Sequence, residues 1–203
     1  MRIYKYLLLF IVILQLILSC NTNKIDEDDT KNFPSPYKTV KADEICEILV
    51  PKYFKEIDDI NPKAIIQYGY IEEVDSIKQA QNYIGDEIYT IVLVDYKFEM
   101  EQIYGDTFEI GIEFFNQKCQ ENLDLILEDF SAEYEVPKVQ IENGVKSIHN
   151  EFLGRIDQYL VYYQIGVFET EKGFYQVLTW TMQEYMNKHK EEMLKMTTSF
   201  QEL

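Results

Sequence analysis

Apolar and polar positions divide the chain into three stretches. Leu7 to Leu18 is a twelve-residue apolar run broken only by Gln15. Asn21 to about Lys41 is polar and holds Pro34-Ser35-Pro36. From Ala42 onward, short apolar runs alternate with turn residues. The run Ile45 to Val50 reads as a strand stopped by Pro51, and Ala64 to Ile71 as a second. Glu87 to Phe98 is a third and the most apolar. On it Ile88, Val92, Val94, Tyr96 and Phe98 share one face, and Tyr89, Ile91 and Leu93 the other. Apolar residues on both faces predict a central strand covered on both sides.

Phe108, Ile112, Phe115, Cys119, Leu123, Ile126 and Phe130 recur at three- and four-residue steps, the spacing of one helix face. Asp106-Thr107-Phe108-Glu109 has the form of a capping box for that helix. Asn143-Gly144 predicts a tight hairpin turn between strands at 139–142 and 145–153. The chain turns again near Gly154 to Asp157 and returns over Gln158 to Phe168. On that strand Tyr159, Val161, Tyr163, Ile165 and Val167 share a face. Glu171-Lys172-Gly173 turns it into a final strand, Phe174 to Thr181. Thr181-Met182-Gln183-Glu184 reads as a second capping box. It opens a C-terminal helix striped by Met182, Tyr185, Met186, His189, Met193, Met196 and Phe200. Strand-rich segments around one long helix, closed by another, predict an α+β fold with an antiparallel β-sheet flanked by helices.

The first stretch is an export signal. Arg2 and Lys5 precede the apolar run, which is shorter than the ~20 residues a membrane-spanning helix needs. Ile17-Leu18-Ser19-Cys20 resembles the lipobox of bacterial lipoproteins. The resemblance implies cleavage of residues 1–19, a diacylglycerol on the Cys20 sulfur and a further acyl chain, such as palmitate, on its amine. Two or more acyl chains hold a protein stably at a bilayer. Residues 20–41 then form an acidic, flexible tether, and residues 42–203 one domain of ordinary size. Within the tether, Asp26-Glu27-Asp28-Asp29 is either a solvated charge run or a counterpart of the surface-export tag that it resembles in some Gram-negative lipoproteins. The implied setting is the bacterial cell envelope, lipid-anchored at the outer membrane, on its periplasmic face or at the cell surface.

Charge and cysteines narrow the chemistry. The chain has 19 Lys and Arg against 36 Asp and Glu. Arg2 and Lys5 leave with the signal, so 17 face 36 in the mature chain, a net charge of −19. Such a charge repels phosphate backbones, which argues against nucleic acid as a partner. With Cys20 assigned to lipid, Cys46 and Cys119 remain, either as a disulfide suited to an oxidising compartment or as two buried thiols. His149 and His189 are the two histidines, and no Cys/His spacing suits a metal. No cofactor is expected.

Several segments, in order, carry a further likeness. They are Ala64-Ile65-Ile66-Gln67-Tyr68, then Tyr89-Thr90-Ile91-Val92 and Lys97, the strand from Tyr159 to Glu169, Phe174 to Thr181, and Met196-Thr197-Thr198-Ser199-Phe200. This order resembles the PsbP-like fold, shared by the photosystem extrinsic protein and the Ran-GTPase release factor family. The resemblance spans nearly all of 42–203. It implies an α/β/α sandwich used for binding or assembly, with no catalytic residues to carry over.

Ser147 and His149 share one side of a strand, but a nucleophilic triad also needs a positioned carboxylate, and no G-x-S-x-G elbow exists. Tyrosines crowd the strands, where they either fill half-buried positions or form a platform for a partner, with Tyr68, Tyr70, Tyr162 and Tyr175 as candidates. The expected function is a membrane-anchored, non-enzymatic envelope module that binds another envelope protein. An immunity protein neutralising a basic toxin is the alternative suggested by charge, and a hydrolase the third. The sequence sets no oligomeric state.

Overall fold

The computed structural model describes residues 35–74, 85–105, 110–125, 127–131 and 138–203. Its elements, in order, are β1 (Tyr37–Ala42), β2 (Cys46–Pro51), β3 (Lys55–Glu56), β4 (Ile66–Ile71), β5 (Glu87–Tyr96), α1 (Lys97–Tyr104) and α2 (Ile112–Asp124). They continue with β6 (Glu128–Ser131), β7 (Gln140–Glu142), β8 (Val145–Ile156), β9 (Tyr159–Glu169) and β10 (Gly173–Met182). A 3₁₀ turn (Gln183–Tyr185), α3 (Met186–Thr197) and β11 (Gln201–Glu202) close the chain.

Three long strands with two tight turns build the main sheet. Asn143 and Gly144 both take positive φ, 51° and 83°. This is the geometry that matches a two-residue turn to the twist of β7 and β8. Asp157, with φ 53°, serves the β8–β9 turn. Between β9 and β10, the Thr170 hydroxyl accepts from the backbone N–H groups of Lys172 and Gly173, each at 3.2 Å. The resulting sheet has eight strands in the order β3-β4-β5-β10-β9-β8-β6, with β7 also paired to β8. The strand pairings among the described residues are antiparallel, and β5 lies inside the sheet, as its two apolar faces predict. A second sheet, β1-β2-β11, has three strands.

Strand alternation sends successive side chains to opposite faces, and here both faces are covered. Ile88, Val92, Tyr175 and Val177 pack with Ile48 and Val50 of the small sheet and with Met193 and Met196 of α3. Ile148, Ile165, Val167 and Phe174 pack with Met100 of α1 and with Ile112, Phe115 and Leu123 of α2. Each fully buried side chain of this size contributes about 1.5–3 kcal/mol. The outcome is the α+β class expected from the sequence, an antiparallel sheet with helices packed on both faces.

One carboxylate ties the second core together. Glu169, at the end of β9, accepts from the backbone N–H of Ile112 at 3.0 Å. Its oxygens also meet Lys146 Nζ at 3.1 Å and Lys97 Nζ at 3.4 Å. A carboxylate at the first turn of a helix satisfies an orphan N–H and complements the helix dipole. It substitutes for a local cap, since Gly111 supplies none.

Several expectations are corrected. β1 spans Tyr37–Ala42, so Tyr37 to Lys41 belong to the domain and not to a tether reaching Lys41. Val40 and Ala42 alternate with exposed residues and bury against the first core. Lys97 starts α1, so Phe98 leaves the strand and is exposed. α2 ends at Asp124, and Phe130 falls in β6, paired to β8. Residues 106–109 and Ile126 lie outside the described residues. The second capping box does not form. Thr181 and Met182 extend β10, the Thr181 hydroxyl donates to the Glu87 carbonyl, and α3 starts at Met186 with no side-chain cap. The edge strand β11 has no precedent in the sequence pattern.

Cys46 and Cys119 are free and buried. Cys46 belongs to the core under the small sheet and Cys119 to the core under α2, on opposite faces of the main sheet. The disulfide alternative is therefore overturned. Burial, reinforced by Glu202 and Glu47, pushes the Cys46 thiol up to about 11. Burial, with Asp95 adding, pushes Cys119 up to about 12.

Candidate functional site

Cys20 and Asp26, Glu27, Asp28 and Asp29 lie outside the described residues. The four candidate tyrosines do not form a platform. Tyr162 and Tyr175 are core residues, 3% and 0% exposed. The Tyr175 hydroxyl donates to Glu202 Oε1 at 2.8 Å. Tyr68 and Tyr70 are half-buried against the first core. The Tyr68 ring lies under Lys38 Nζ at 5.1 Å, and Tyr70 meets Tyr53 edge-on at 5.2 Å. The preference of tyrosine for pleated, half-buried positions accounts for all four.

The two histidines separate. His189, on α3, is 2% exposed. Its Nε2 lies 2.7 Å from Asp86 Oδ1 and its Nδ1 3.0 Å from Glu192 Oε2. Lys188 Nζ donates to the other Asp86 oxygen, and the Tyr53 hydroxyl donates to Glu192 Oε2 at 2.6 Å. Both ring nitrogens thus face carboxylates, which leaves neither free to take a proton from a nucleophile. The cluster joins α3 to the start of β5 and to the segment after β2. Burial, with the Glu192 hydrogen bond next, pushes the Tyr53 hydroxyl well above its ordinary value and keeps it a donor.

His149 lines a groove of about 810 Å³ between the β7–β8 hairpin and the end of α3, with Ser147, Glu47, Glu142, Lys195 and Glu202 also in its walls. Burial pushes the imidazole below its ordinary value. Its Nδ1 has no hydrogen-bond partner among the described residues, and its ring meets Phe168 edge-on at 5.7 Å. Glu47 is paired with Lys41 at 2.7 Å, and Glu202 accepts from Tyr175 and Thr170. Ser147 and His149 therefore share a groove without the orienting carboxylate that a triad requires.

A different set of aromatics makes an open site. Antiparallel register places Gly69, Tyr89, Trp180, Tyr163 and Phe152 in one row across β4, β5, β10, β9 and β8. Opposed residues on adjacent strands share a face and touch. Tyr89 and Trp180 stack at 5.3 Å with planes 20° apart, and Tyr163 follows Trp180 at 6.3 Å. Tyr163 and Phe152 are buried. At the other end of the row, Tyr89, Trp180, Val161, Met182, Tyr159 and Ile156 surround a cleft of about 140 Å³. Tyr159 and Ile156 at its rim are 36% and 38% exposed.

Glu87 is also a wall residue of this cleft, whose exposed lining is almost wholly apolar. The Tyr89 hydroxyl donates to Glu87 Oε2 at 2.9 Å. Burial first, and then this bond, pushes the phenol well above its ordinary value, so it remains a donor. Tyr159 and Trp180 stood among the strand aromatics visible in the sequence. What brings them together is the strand order β5-β10-β9, which periodicity does not encode.

No protein-family model matches the chain, and no curated protein matches it. Among solved structures the chain is similar to LpqN of Mycobacterium tuberculosis, a protein involved in cell envelope biogenesis. The identity is 10%, the match covers 84% of this chain and 87% of that one, and the TM-score is 0.50. It is also similar to the cyanobacterial PsbP of Synechocystis sp. PCC 6803, at 13% identity over 83% and 93% of the two chains, TM-score 0.46. The Ran-binding protein Mog1p of Saccharomyces cerevisiae matches at 10% identity over 81% and 94%, TM-score 0.45. At such identities the likeness concerns the fold alone, because unrelated functions share folds.

Proposed function

We propose that this is a lipid-anchored protein of the bacterial envelope whose domain is a non-enzymatic module for binding another envelope protein. The observation that carries the binding reading is the aromatic cleft. Tyr89, Tyr159 and Trp180 are the residue types that anchor protein interfaces, and they line a concave site beside a carboxylate. The histidines favour the same reading. One is engaged by carboxylates at both nitrogens, and the other has no carboxylate on Nδ1. The envelope setting rests on the leader and Cys20, and LpqN, of similar fold, is itself involved in envelope biogenesis. With β1 starting at Tyr37, the tether of this reading spans residues 20–36. Fully extended at ~3.3 Å per residue it reaches some tens of Å from the bilayer. Asp26 to Asp29 resemble a surface-export tag, and in this reading the anchored domain faces either the periplasm or the cell surface.

Two experiments test it. Cys20→Ala abolishes acyl labelling and leaves the precursor uncleaved; labelling that persists removes the anchor. A photo-crosslinking phenylalanine analogue at Tyr159 forms a protein adduct in intact cells, whereas the same analogue at Glu171, at the opposite end of the sheet, does not. Adducts of equal yield from both positions, or from neither, end the cleft reading.

A further inference from the structure

We infer that the groove beside His149 takes an extended, uncharged segment of a partner polypeptide, which adds to the small sheet as a further strand beside β11. The inference deepens the binding reading above and rests on it for the class of partner, but it uses no residue of the Trp180 cleft. Its first support is the edge itself. β11 ends the order β1-β2-β11, and alternate residues along it turn toward β2. The Leu49 N–H donates to Ser199 Oγ at 2.8 Å, Gln201 stands opposite Glu47, and the Leu203 N–H donates to the Ile45 carbonyl at 3.0 Å. In an antiparallel ladder the residues between them point the other way. The N–H and C=O groups of Phe200 and Glu202 therefore lie on the free edge, and no hydrogen bond among the described residues uses them. Both residues line the groove.

The second support is what faces that edge. Register pairs Gln140 with Ser147 and Glu142 with Val145. These four, and His149 two residues past Ser147, share one face of the β7–β8 hairpin, and they form the opposite wall. The side chains of Gln140, Ser147 and Gln201 make no hydrogen bond among the described residues, and His149 Nδ1 makes none either. The hollow of about 810 Å³ falls in the ~300–1,000 Å³ range of ligand clefts. A lone strand needs only ~4.8 Å beside β11. A second folded copy would bring its own sheet behind its edge, and the hairpin wall obstructs that.

The third support is charge. Glu47 is paired with Lys41 at 2.7 Å, and Glu202 accepts from the Tyr175 and Thr170 hydroxyls. Glu142 and Lys195, the other charged wall residues, are of opposite sign. Burial holds the His149 imidazole below its ordinary value, so it is neutral at pH 7. Neither sign dominates the groove, and a neutral occupant complements it. An apolar one would strip water from Gln140, Ser147 and Gln201 and return no partner. Peptide groups return a donor and an acceptor to such amide and hydroxyl side chains. In strand addition the main chain supplies affinity and alternate side chains supply specificity. Small polar side chains such as Ser, Thr and Asn suit the hairpin wall.

Amide hydrogen exchange, read residue by residue by NMR on the full chain in nonionic detergent, tests the inference. The probe is a pool of acetylated heptapeptide amides randomised over Ser, Thr, Asn and Val. The expected result is exchange slowed about ten-fold at Phe200 and Glu202, the net worth of one hydrogen bond. The same pool N-methylated throughout keeps its side chains, loses every main-chain donor and gives no protection. Ser147→Tyr crowds the groove and abolishes the protection, while the urea midpoint stays near the parent's because tyrosine suits a half-buried strand position. Equal protection by the N-methylated pool or by chitohexaose, or protection that persists in Ser147→Tyr, overturns the proposal. So does protection in the chain alone that grows with its concentration, which marks a second copy, and so does no protection with any probe. Adducts at position 159 separate the two levels. If they form while the pool gives no protection, only the strand-addition assignment falls; if the pool protects and adducts fail, the cleft reading falls alone.

Discussion

Gly69→Ala tests the aromatic row at its outer end. A Cβ added at Gly69 meets Ile57 Cδ1 at 2.7 Å, the Ile88 carbonyl oxygen at 2.9 Å and Tyr89 Cδ1 at 2.9 Å. Ordinary carbon contacts lie near ~3.5–4.0 Å, so each neighbour must retreat by more than half an ångström. The carbonyl belongs to the β4–β5 ladder and has little room. The Tyr89 ring yields only by sliding against Trp180. Overpacking of this kind costs about 1–3 kcal/mol. Taking ~2 kcal/mol, and 2–4 °C per kcal/mol for a domain of this size, the Tm falls by about 4–8 °C. The assay is urea unfolding followed by Trp180 emission, with Tyr89→Ala and the double variant completing a cycle. Because the ring is one of three clashing groups, removing it relieves part of the cost, and a coupling of about 1 kcal/mol is expected for residues in contact. The folded-state emission also shifts, since the stacked partner of Trp180 has moved. An unchanged urea midpoint in Gly69→Ala, or additivity within ~0.3 kcal/mol, would refute the close approach of Gly69 to Tyr89 and with it the shape assigned to the cleft.

Further outcomes follow from the buried groups. In a Cys20→Ser chain, Cys46 and Cys119 resist alkylation at pH 8 and react as two equivalents in urea; a thiol reductant leaves the unfolding midpoint unchanged, and a reductant-sensitive midpoint would revive the disulfide. Because burial holds the His149 imidazole below its ordinary value of 6.5, the unfolded chain takes up that proton first as pH falls. Its share of stability is therefore full above pH 6.5 and lost on acidification through the folded value. His149→Phe flattens the stability profile between pH 7 and 5 relative to the parent, and parallel profiles would sink this. Asp86→Ala strands His189 and Lys188 and costs about 3 kcal/mol by urea unfolding, whereas Lys190→Ala, in a half-exposed pair with Glu151, costs less than ~1 kcal/mol; equal losses would deny Asp86 its burial.

The parts of the fold legible in the sequence were those written in local chemistry. Asn143-Gly144 can adopt two successive positive φ angles, and the hairpin formed there. The two-sided apolar pattern of 87–96 required cover on both faces, and β5 received it. Local chemistry failed where a distant group supplied what a local motif offered. Thr181 and Glu184 have capping-box spacing, but the Thr181 hydroxyl bonds the Glu87 carbonyl on the neighbouring strand. The N–H of Ile112 finds its acceptor in Glu169, 57 residues away. β1 was hidden for a different reason. Tyr37-Lys38-Thr39-Val40-Lys41-Ala42 alternates at period two, but its lysines blend into the charged stretch before it. A strand whose outer face is wet resembles a tether until a partner strand is seen.

The aromatic row explains why a site was present in the composition yet invisible in the order. Tyr89, Trp180, Tyr163 and Phe152 belong to four strands spread over the chain, and each alone reads as a strand residue with a bulky side chain. Register turns them into one continuous surface. Along it the environment changes: Phe152 and Tyr163 lie in the core with α2, while Tyr89 and Trp180 border the cleft. The buried members hold the exposed ones in fixed orientation, so little entropy remains to be lost when a partner docks. Truncation at Phe152 should therefore lower stability and binding together, as a core cavity does, whereas Tyr159→Ala, at the exposed rim of the cleft, lowers binding and leaves the urea midpoint nearly unchanged.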